Sequence, residues 1–356
     1  MNDDLKILFG PYREAVIAIK GKRIAFGNAA ANALVPDLEK KKPQDVFPAE
    51  LLDYEASSFV GAAKIGVRLY TVAVTEFSGM RIFTIFPMET NSEEAALLLS
   101  AINTKMREYV NVVKMSSGLL MPHVEEYGSE KLNRLVSMIS HNCYRMERAI
   151  RSVDEFGNPR KNAEEPAFDL AELYADLVDS TEHMVREHGI RFTFTANDAD
   201  HYTSGDSGKL ETLLMHLLSN SIKSTPDGGH IEVKLTKTED RTVLTVHDDG
   251  CGIPEDKMFS VWNRYSAPAD GAGAPSDGIG LGLTLVQQTA RSYGGSAILE
   301  STPGKGTTVA VIMHLPKVRN DMLREPCPRR RNSMNAILRE LSDVIEYEKY
   351  NGKYMD

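Results

Sequence analysis

Three clusters of residues between positions 216 and 282 have types and spacings that could handle a phosphorylated ligand. In LLMHLLSNSIKST, Asn220 follows His216 by four residues and precedes Lys223 by three. On a helix these three side chains share a face, and the ammonium of Lys223 can reach a phosphate from it. In VHDDGCGIP, Asp248 and Asp249 stand directly before Gly250, Cys251 and Gly252. The glycines let backbone pass close to a bound group. The third cluster is Gly278, Gly280, Leu281 and Gly282, just ahead of the apolar run LTLVQQTARSY. Glycines at a helix start expose N–H groups near the positive end of the dipole, where phosphate oxygens bind well. Taken alone, each cluster also has a bland reading: a surface asparagine, a turn, a flexible linker.

The elements that must position these residues alternate. Helix AELYADLVDSTEHMV leads to strand RFTFTA, helix KLETLLMHLLSNSIKS, strands IEVKL and TVLTVH, the glycine-rich loop, helix LTLVQQTARSY, and strands SAILES and TVAVIMHL. This pattern predicts one unit around a mixed sheet over residues 165–318. No Gly-Lys-Ser/Thr phosphate loop and no strand-linked dinucleotide fingerprint occurs, so a nucleotide must be held another way.

Upstream, residues 1–89 carry the β-like runs AVIAI, RIAFG, VRLYTVAV and RIFTIF around one helical stretch. Their order, with FGNAAANAL at the strand-to-helix step around Asn28, resembles a PAS sensor domain. A plain folded domain without a ligand is an equally open reading. Residues 92–158 turn helical. Leu99, Ile102, Met106, Tyr109, Val113, Ser116 and Leu120 recur at alternating steps of three and four, and after Tyr127-Gly128 so do Leu132, Val136, Ile139, Cys143, Met146, Ile150 and Val153. Two such seams predict a hairpin, and two hairpins a four-helix bundle, so a homodimer is expected over an intramolecular hairpin alone. Gly157-Asn158-Pro159 ends the second helix. The tail, 319–356, holds Arg329-Arg330-Arg331 and then an amphipathic helix with Met334, Ile337, Leu338, Leu341, Val344 and Tyr347 on one face, which must dock somewhere.

Composition narrows the classes. Over 356 residues, 41 basic against 50 acidic side chains leave a net charge of −9, the wrong sign for coating nucleic acid or an anionic membrane. No apolar run approaches the roughly 20 residues that span a bilayer, and the start MNDDLKILFG has no leader character, so no membrane partner and a cytoplasmic location are expected. Cys143, Cys251 and Cys327 lack metal-ligand spacing and are expected to be free.

The three clusters, together with GGSAILESTPGKGTTVAVIMHLP and its Gly304, Gly306 and Thr307, resemble the ordered boxes of the ATPase superfamily shared by histidine kinases, gyrase-type enzymes and heat-shock chaperones. The resemblance covers roughly residues 95–318 and is strongest from 206 onward. It implies an α+β chain whose C-terminal α/β sandwich of Bergerat type holds ATP with Mg2+. Asn220 matches the asparagine that ligates magnesium, and an amide oxygen is a hard ligand suited to that ion. His216 lies where the family places a polar residue that can orient a phosphate or water. Asp248 matches the carboxylate that accepts a hydrogen bond from the adenine amine, which discriminates adenine from guanine. Phe259 and Trp262 fall in the aromatic box as expected core anchors, with Arg264 in its basic place, and Gly278 to Gly282 close a lid.

The resemblance fails at one place. The family's first bundle helix carries Ser-His-Glu and then Arg-Thr-Pro, with the histidine accepting the γ-phosphoryl group; here MSSGLLMPH aligns Ser117 with that histidine and Gly118 with its acidic neighbour. A serine hydroxyl is a poor nucleophile without a base. His141, in Ile139-Ser140-His141-Asn142, lies 79 residues before Asn220, whereas Ser117 lies 103 before it, and the family's spacing agrees with the longer value. His141 is therefore expected on the bundle surface. Three readings follow: a cytoplasmic two-component sensor kinase with a displaced or partner-supplied phosphoacceptor and a response regulator as recipient; an ATP-binding pseudokinase that signals by occupancy; and a stand-alone kinase or ATPase of the superfamily.

Overall fold

The computed structural model describes residues 2–56, 58–66, 68–77, 79–87, 106–120, 123, 130–157, 167–258, 261–262, 281–318 and 333–350. In the N-terminal region a short helix α1 (Asn2–Phe9) precedes strands β1 (Ala15–Lys20) and β2 (Arg23–Gly27). Helices α2 (Ala29–Leu34) and α3 (Ala49–Leu52) follow, then strands β3 (Ser58–Ile65), β4 (Arg68–Phe77) and β5 (Met80–Pro87). The five strands lie antiparallel in the order β2-β1-β5-β4-β3. This β-rich module is compatible with a PAS-like domain. Asn28 explains the strand-to-helix step: its buried side chain caps α2 by accepting from Ala31 N, also accepts from Val16 N, and donates to Glu14 O at 2.8 Å.

Strand β3 is absent from the sequence expectation because Gly61, Ala62 and Ala63 are weak strand formers. Small residues serve a purpose there. A Cβ on Gly61 would stand 2.3 Å from Leu51 Cδ2, so glycine makes room for the α3 side chain packed on this strand.

The helical hairpin pairs α4 (residues 106–120) with α5 (Glu130–Gly157). Arg107 pairs with Asp154, Lys114 with Glu147 at 2.9 Å, and Ser117 with Ser140, in antiparallel order. The heptad seam of α5 divides. Val136, Cys143 and Ile150 are buried, the last two in a cluster with Val110, whereas Leu132, Ile139 and Met146 are exposed together with Leu135 and Met138. On α4, Tyr109, Val112, Val113, Met115, Leu119 and Leu120 are exposed as well. Leu99 and Ile102 lie outside the described residues.

The C-terminal domain holds α6 (Leu170–Met184), β7 (Arg191–Ala196), α7 (Ser207–Ser224), β9 (His230–Lys237), β10 (Thr242–Asp248), α8 (Glu255–Met258), α9 (Gly282–Ser292), β11 (Ser296–Thr302) and β12 (Gly306–Met313). A two-stranded ribbon of β6 (Phe168–Asp169) and β8 (Tyr202–Thr203) flanks them. Strand order is β11-β12-β10-β9-β7, with β7 and β9 parallel and the rest antiparallel, which is the mixed sheet the pattern predicts. Leu213, Leu214, Leu217 and Leu218 of α7 and Val286 and Ala290 of α9 share one core with Val233, Val246 and Val311. The sheet does not stop at the domain: β11 pairs with β3 at Leu299 and Val60, giving ten continuous strands. Alternation then sends Ile298 and Ile312 into the N-terminal core while Leu299 and Val311 enter the other.

The tail docks as its apolar face requires. Helix α10 (Ser333–Glu340), a one-turn 3-10 helix (Tyr347–Tyr350) and the turn between them bury Ile337, Leu338, Leu341, Ile345 and Tyr350. The helix is shorter than the pattern to Tyr347 suggests, because the chain turns after Glu340 and the Ser342 carbonyl accepts from His141 Nε2 at 2.7 Å. No described helix is long and apolar enough to cross a membrane.

Candidate functional site

The site builds around α7 and the end of β10. Asp206 caps α7 by accepting from Lys209 N, and the leucine face of the helix is anchored in the core. Its opposite face turns His216, Asn220 and Lys223 away from the sheet, as the spacing demands. Asp248, the last residue of β10, is 4% exposed. Its Oδ2 accepts from Ser221 Oγ at 3.1 Å, and its Oδ1 from Ser224 Oγ at 3.2 Å and Gly250 N at 3.1 Å. Burial pushes the carboxyl up from its ordinary value, while these donors pull the other way. Asp249 is exposed and accepts from His230 N.

Backbone closes in around Asp248. Gly252 (φ 68°) lies where a Cβ would stand 2.2 Å from Thr302 O, and Gly306 (φ 99°) where it would stand 1.8 Å from Asp248 O. Only glycine fits either position. Thr307 pairs with Asp248 across β12 and β10, and its Oγ1 lies 2.9 Å from Ser301 Oγ. Ser301 also accepts from Ile253 N, fastening the glycine loop to the closing strands. Gly282 begins α9 directly opposite Asn220 and His216: a Cβ there would lie 3.7 Å from Asn220 Nδ2 and 3.8 Å from His216 Nδ1. Leu281, just before it, is buried. The helix start and the α7 face thus meet, as an anion site at a dipole end requires. Arg264, Gly278, Gly280 and Phe259 lie outside the described residues. Trp262 is fully buried, consistent with a core anchor.

His216 is 3% exposed, and neither ring nitrogen has a hydrogen-bond partner. Burial pushes its pKa below the ordinary value, with Glu340 opposing. Lys223 does not point into open space: its Nζ lies 3.2 Å from Asp343 Oδ2 of the tail. Arg148 of α5 donates to Ser219 and Arg151 to Thr212, bolting the bundle to α7. A cavity of 420 Å³ between α4, α5, α7 and α9 is lined by Arg107, Arg151, Thr212, His216, Gln288 and Arg339, but not by Asp248 or the glycines. It adjoins the site without containing it.

Sequence reasoning missed Ser221, Ser224 and Ser301, which orient Asp248 and its loop, and the pair Glu340 and Asp343. A faint signal existed for the first two, since Ser221 and Ser224 flank the face of Asn220 and Lys223. Nothing local marks the tail carboxylates as neighbours of α7.

Residues 205–319 match the model of the histidine kinase-, DNA gyrase B- and HSP90-like ATPase family. Among curated proteins, the chain is similar to the aerobic respiration control sensor protein ArcB of Escherichia coli (strain K12), at 24% identity over 66% of this chain and 30% of that protein. It is also similar to sporulation kinase A of Bacillus subtilis (strain 168), at 27% identity over 61% of this chain and 34% of that one. Residues 205–319 are thus similar to the ATPase domain that sensor histidine kinases carry. The chain spans about a third of the length of these relatives. In fold it is similar to full-length ShkA, solved in complex with AMPPNP, with a TM-score of 0.52 and 18% identity over 62% of this chain and 46% of that one. The Bergerat-type sandwich expected from the four boxes is therefore the fold of this ATPase domain.

Proposed function

We propose that this chain is a dimeric, cytoplasmic two-component signalling protein whose residues 206–316 bind ATP with Mg2+. The observation that carries the reading is the buried Asp248 carboxylate, held by Ser221, Ser224 and the Gly250 N–H, with Gly252 and Gly306 in the close-packed backbone around it. The site's residues fit the nucleotide: Asp248 would take the adenine amine, Gly250, Gly252 and Thr307 would let the base approach, and Asn220 would ligate magnesium. The α9 start at Leu281-Gly282, with Gly278 and Gly280, would take phosphate oxygens, and Lys223, Arg264 and His216 would serve the phosphates. When bound, ATP supplies a transferable phosphoryl group. The layout is a PAS-like sensor (1–89), a dimerisation hairpin (92–158), the ATP-binding domain (165–318) and a tail (319–356). Titration with a fluorescent adenine nucleotide, with and without Mg2+, tests this reading. Binding in the micromolar-to-millimolar range, with a magnesium requirement for the triphosphate, is expected; no binding removes it.

A second observation favours the pseudokinase form over an internal phosphotransfer. Ser117 is buried and bonded to Ser140 Oγ at 3.2 Å, a hydroxyl and not a base, and Gly118 has no side chain to act for it. His141 is no free acceptor either, because its Nε2 is engaged by Ser342 O and its ring lies 4.7 Å from that of Tyr350. Labelled ATP should leave no acid-labile phosphate on the chain, and Ser117→His with Gly118→Glu should gain it. Strong labelling of the parent that vanishes in His141→Gln would make the chain an active kinase, with a response regulator as the natural recipient.

A further inference from the structure

The tail carries a cluster of charge that nucleotide binding does not explain. Glu340 and Asp343 are both nearly inaccessible, with side chains 5% and 7% exposed. Asp343 meets Arg145 at 3.4 Å and Arg148 at 2.5 Å on α5, and Lys223 at 3.2 Å on α7. Glu340 lies 3.7 Å from Arg151 and 3.8 Å from Arg148. One short segment thus grips both the second bundle helix and the nucleotide-box helix. Burying two carboxylates is costly unless cations compensate, so the pairs must form together. Apolar contacts add to them: Tyr350 is fully buried, donates to Leu338 O at 2.7 Å, and lies against His141 and Tyr144.

Lys223 is the decisive member. It shares its helix face with Asn220, one turn away, and that face meets the start of α9. A carboxylate oxygen is a weaker anion of the same kind as a phosphate oxygen, and one ammonium cannot serve both at full strength. Asp343 therefore holds the cation that a nucleotide phosphate would recruit. We propose that residues 333–350 form an intramolecular latch, in which the Asp343 carboxylate stands in for a nucleotide phosphate on Lys223 and ties the ATPase domain to α5 until a triphosphate displaces it. The inference deepens the ATP-binding reading and rests on it. Release of Asp343 also loosens Arg145 and Arg148 and frees His141 from Ser342, so occupancy of the nucleotide site becomes a change in how bundle and ATPase domain hold each other. Coupling is reciprocal: whatever loosens the tail tightens ATP, and ATP loosens the tail by the same factor.

Hydrogen exchange of residues 333–350 in the full chain, read with Mg-ATP affinity, tests the latch. Saturating Mg-ATP should speed exchange of the tail, and Asp343→Asn should speed it without nucleotide while tightening Mg-ATP by about tenfold, within the usual range of such couplings. Tyr350→Phe keeps the packing and removes only the bond to Leu338 O, so it should move both readouts the same way by less, and it serves where Asp343→Asn fails to fold. A tail whose exchange ignores Mg-ATP, with equal ATP affinity in parent and variants, overturns the latch and leaves the ATP reading standing. A parent that binds no ATP overturns latch and ATP reading together.

Discussion

Asp248 accepts from a backbone N–H and two serine hydroxyls, and that set of donors constrains what can replace it. An asparagine has one acceptor oxygen, and its amide hydrogens would face donors, including Gly250 N, which cannot reverse its role. The same substitution removes the acceptor proposed for the adenine amine. A hydrogen bond to a charged group contributes about 1.5–3 kcal/mol, so Asp248→Asn should weaken adenine nucleotide binding by roughly ten- to a hundredfold or more. Fluorescence titration reads this, with circular dichroism as a check on folding. Unchanged affinity would remove Asp248 from the base site. Its identity was legible in the sequence, since a carboxylate before Gly-x-Gly at a strand end is a local pattern. Its serine partners were not, because their role depends on α7 passing beside β10.

At the scale of elements, the divided seam of α5 separates two jobs that heptad periodicity alone cannot distinguish. Cys143 and Ile150 close the hairpin on Val110 of α4 and Val136 is buried with them, whereas Leu132, Ile139 and Met146, one heptad apart, face outward. Exposed apolar stripes of this length mark contact surfaces. Two substitutions should therefore behave oppositely. Ile150→Ala empties a packed site and should cost about 2–5 kcal/mol of stability. Ile139→Glu should leave the hairpin within about 0.5 kcal/mol of the parent, as surface changes do, and yield monomers where the parent is dimeric. Urea unfolding gives the first result and light scattering the second; a parent that is already monomeric at tens of micromolar, a concentration in the range of ordinary dimer affinities, would reduce the stripe to hairpin surface alone.

For the whole molecule, the continuous ten-stranded sheet and the docked tail join regions that the sequence presents as separate. Strand β11 pairs on one edge with β12 and on the other with β3, so the N-terminal core and the ATPase core share a wall. Unfolding should be shared too. Trp262, the single tryptophan, reports the ATPase core, and far-ultraviolet circular dichroism reports every strand; the two transitions in urea should coincide, and an early loss of ellipticity with unchanged fluorescence would show the N-terminal module unfolding by itself. Stability should also depend on pH in two stages. Burial lowers the pKa values of His216 and His141, so the folded chain keeps them neutral and loses stability as pH falls below their ordinary value of 6.5. Around His216 stand Glu340, Arg148, Glu155 and Arg151, and around His141 stand Arg145 and Asp343.

The second stage belongs to the tail carboxylates. Burial works against the charge of Asp343, but Arg148, Lys223 and Arg145 hold its carboxyl below the ordinary range. His216, Arg151, Arg339 and Arg148 do the same for Glu340. Their contribution is complete above the ordinary carboxylate values of 3.8 and 4.5 and is lost as pH falls through the lowered ones. Urea midpoints measured from pH 8 to pH 3 should decline first below 6.5 and again in the acid range, and His141→Gln should flatten the first decline; a flat profile from 7 to 5 in the parent would contradict the buried neutral histidines.

The sequence by itself determined the ATPase sandwich, its ordered boxes, the helical hairpin and the absence of a histidine at position 117. All of these are written in local spacing: a helix face every three or four residues, a strand face every two, a glycine where backbone must pass close. The tertiary structure alone decided that β3 exists and joins the two cores, that half of the seam faces outward, and that Asp343 lies on Lys223. Those facts depend on which surfaces meet across tens to hundreds of residues of chain, and no local period encodes that. The tail helix illustrates the division. Its apolar stripe required it to dock, but the place was set by Arg145, Arg148 and Lys223, cations on two different helices that only the folded chain brings within reach of one carboxylate.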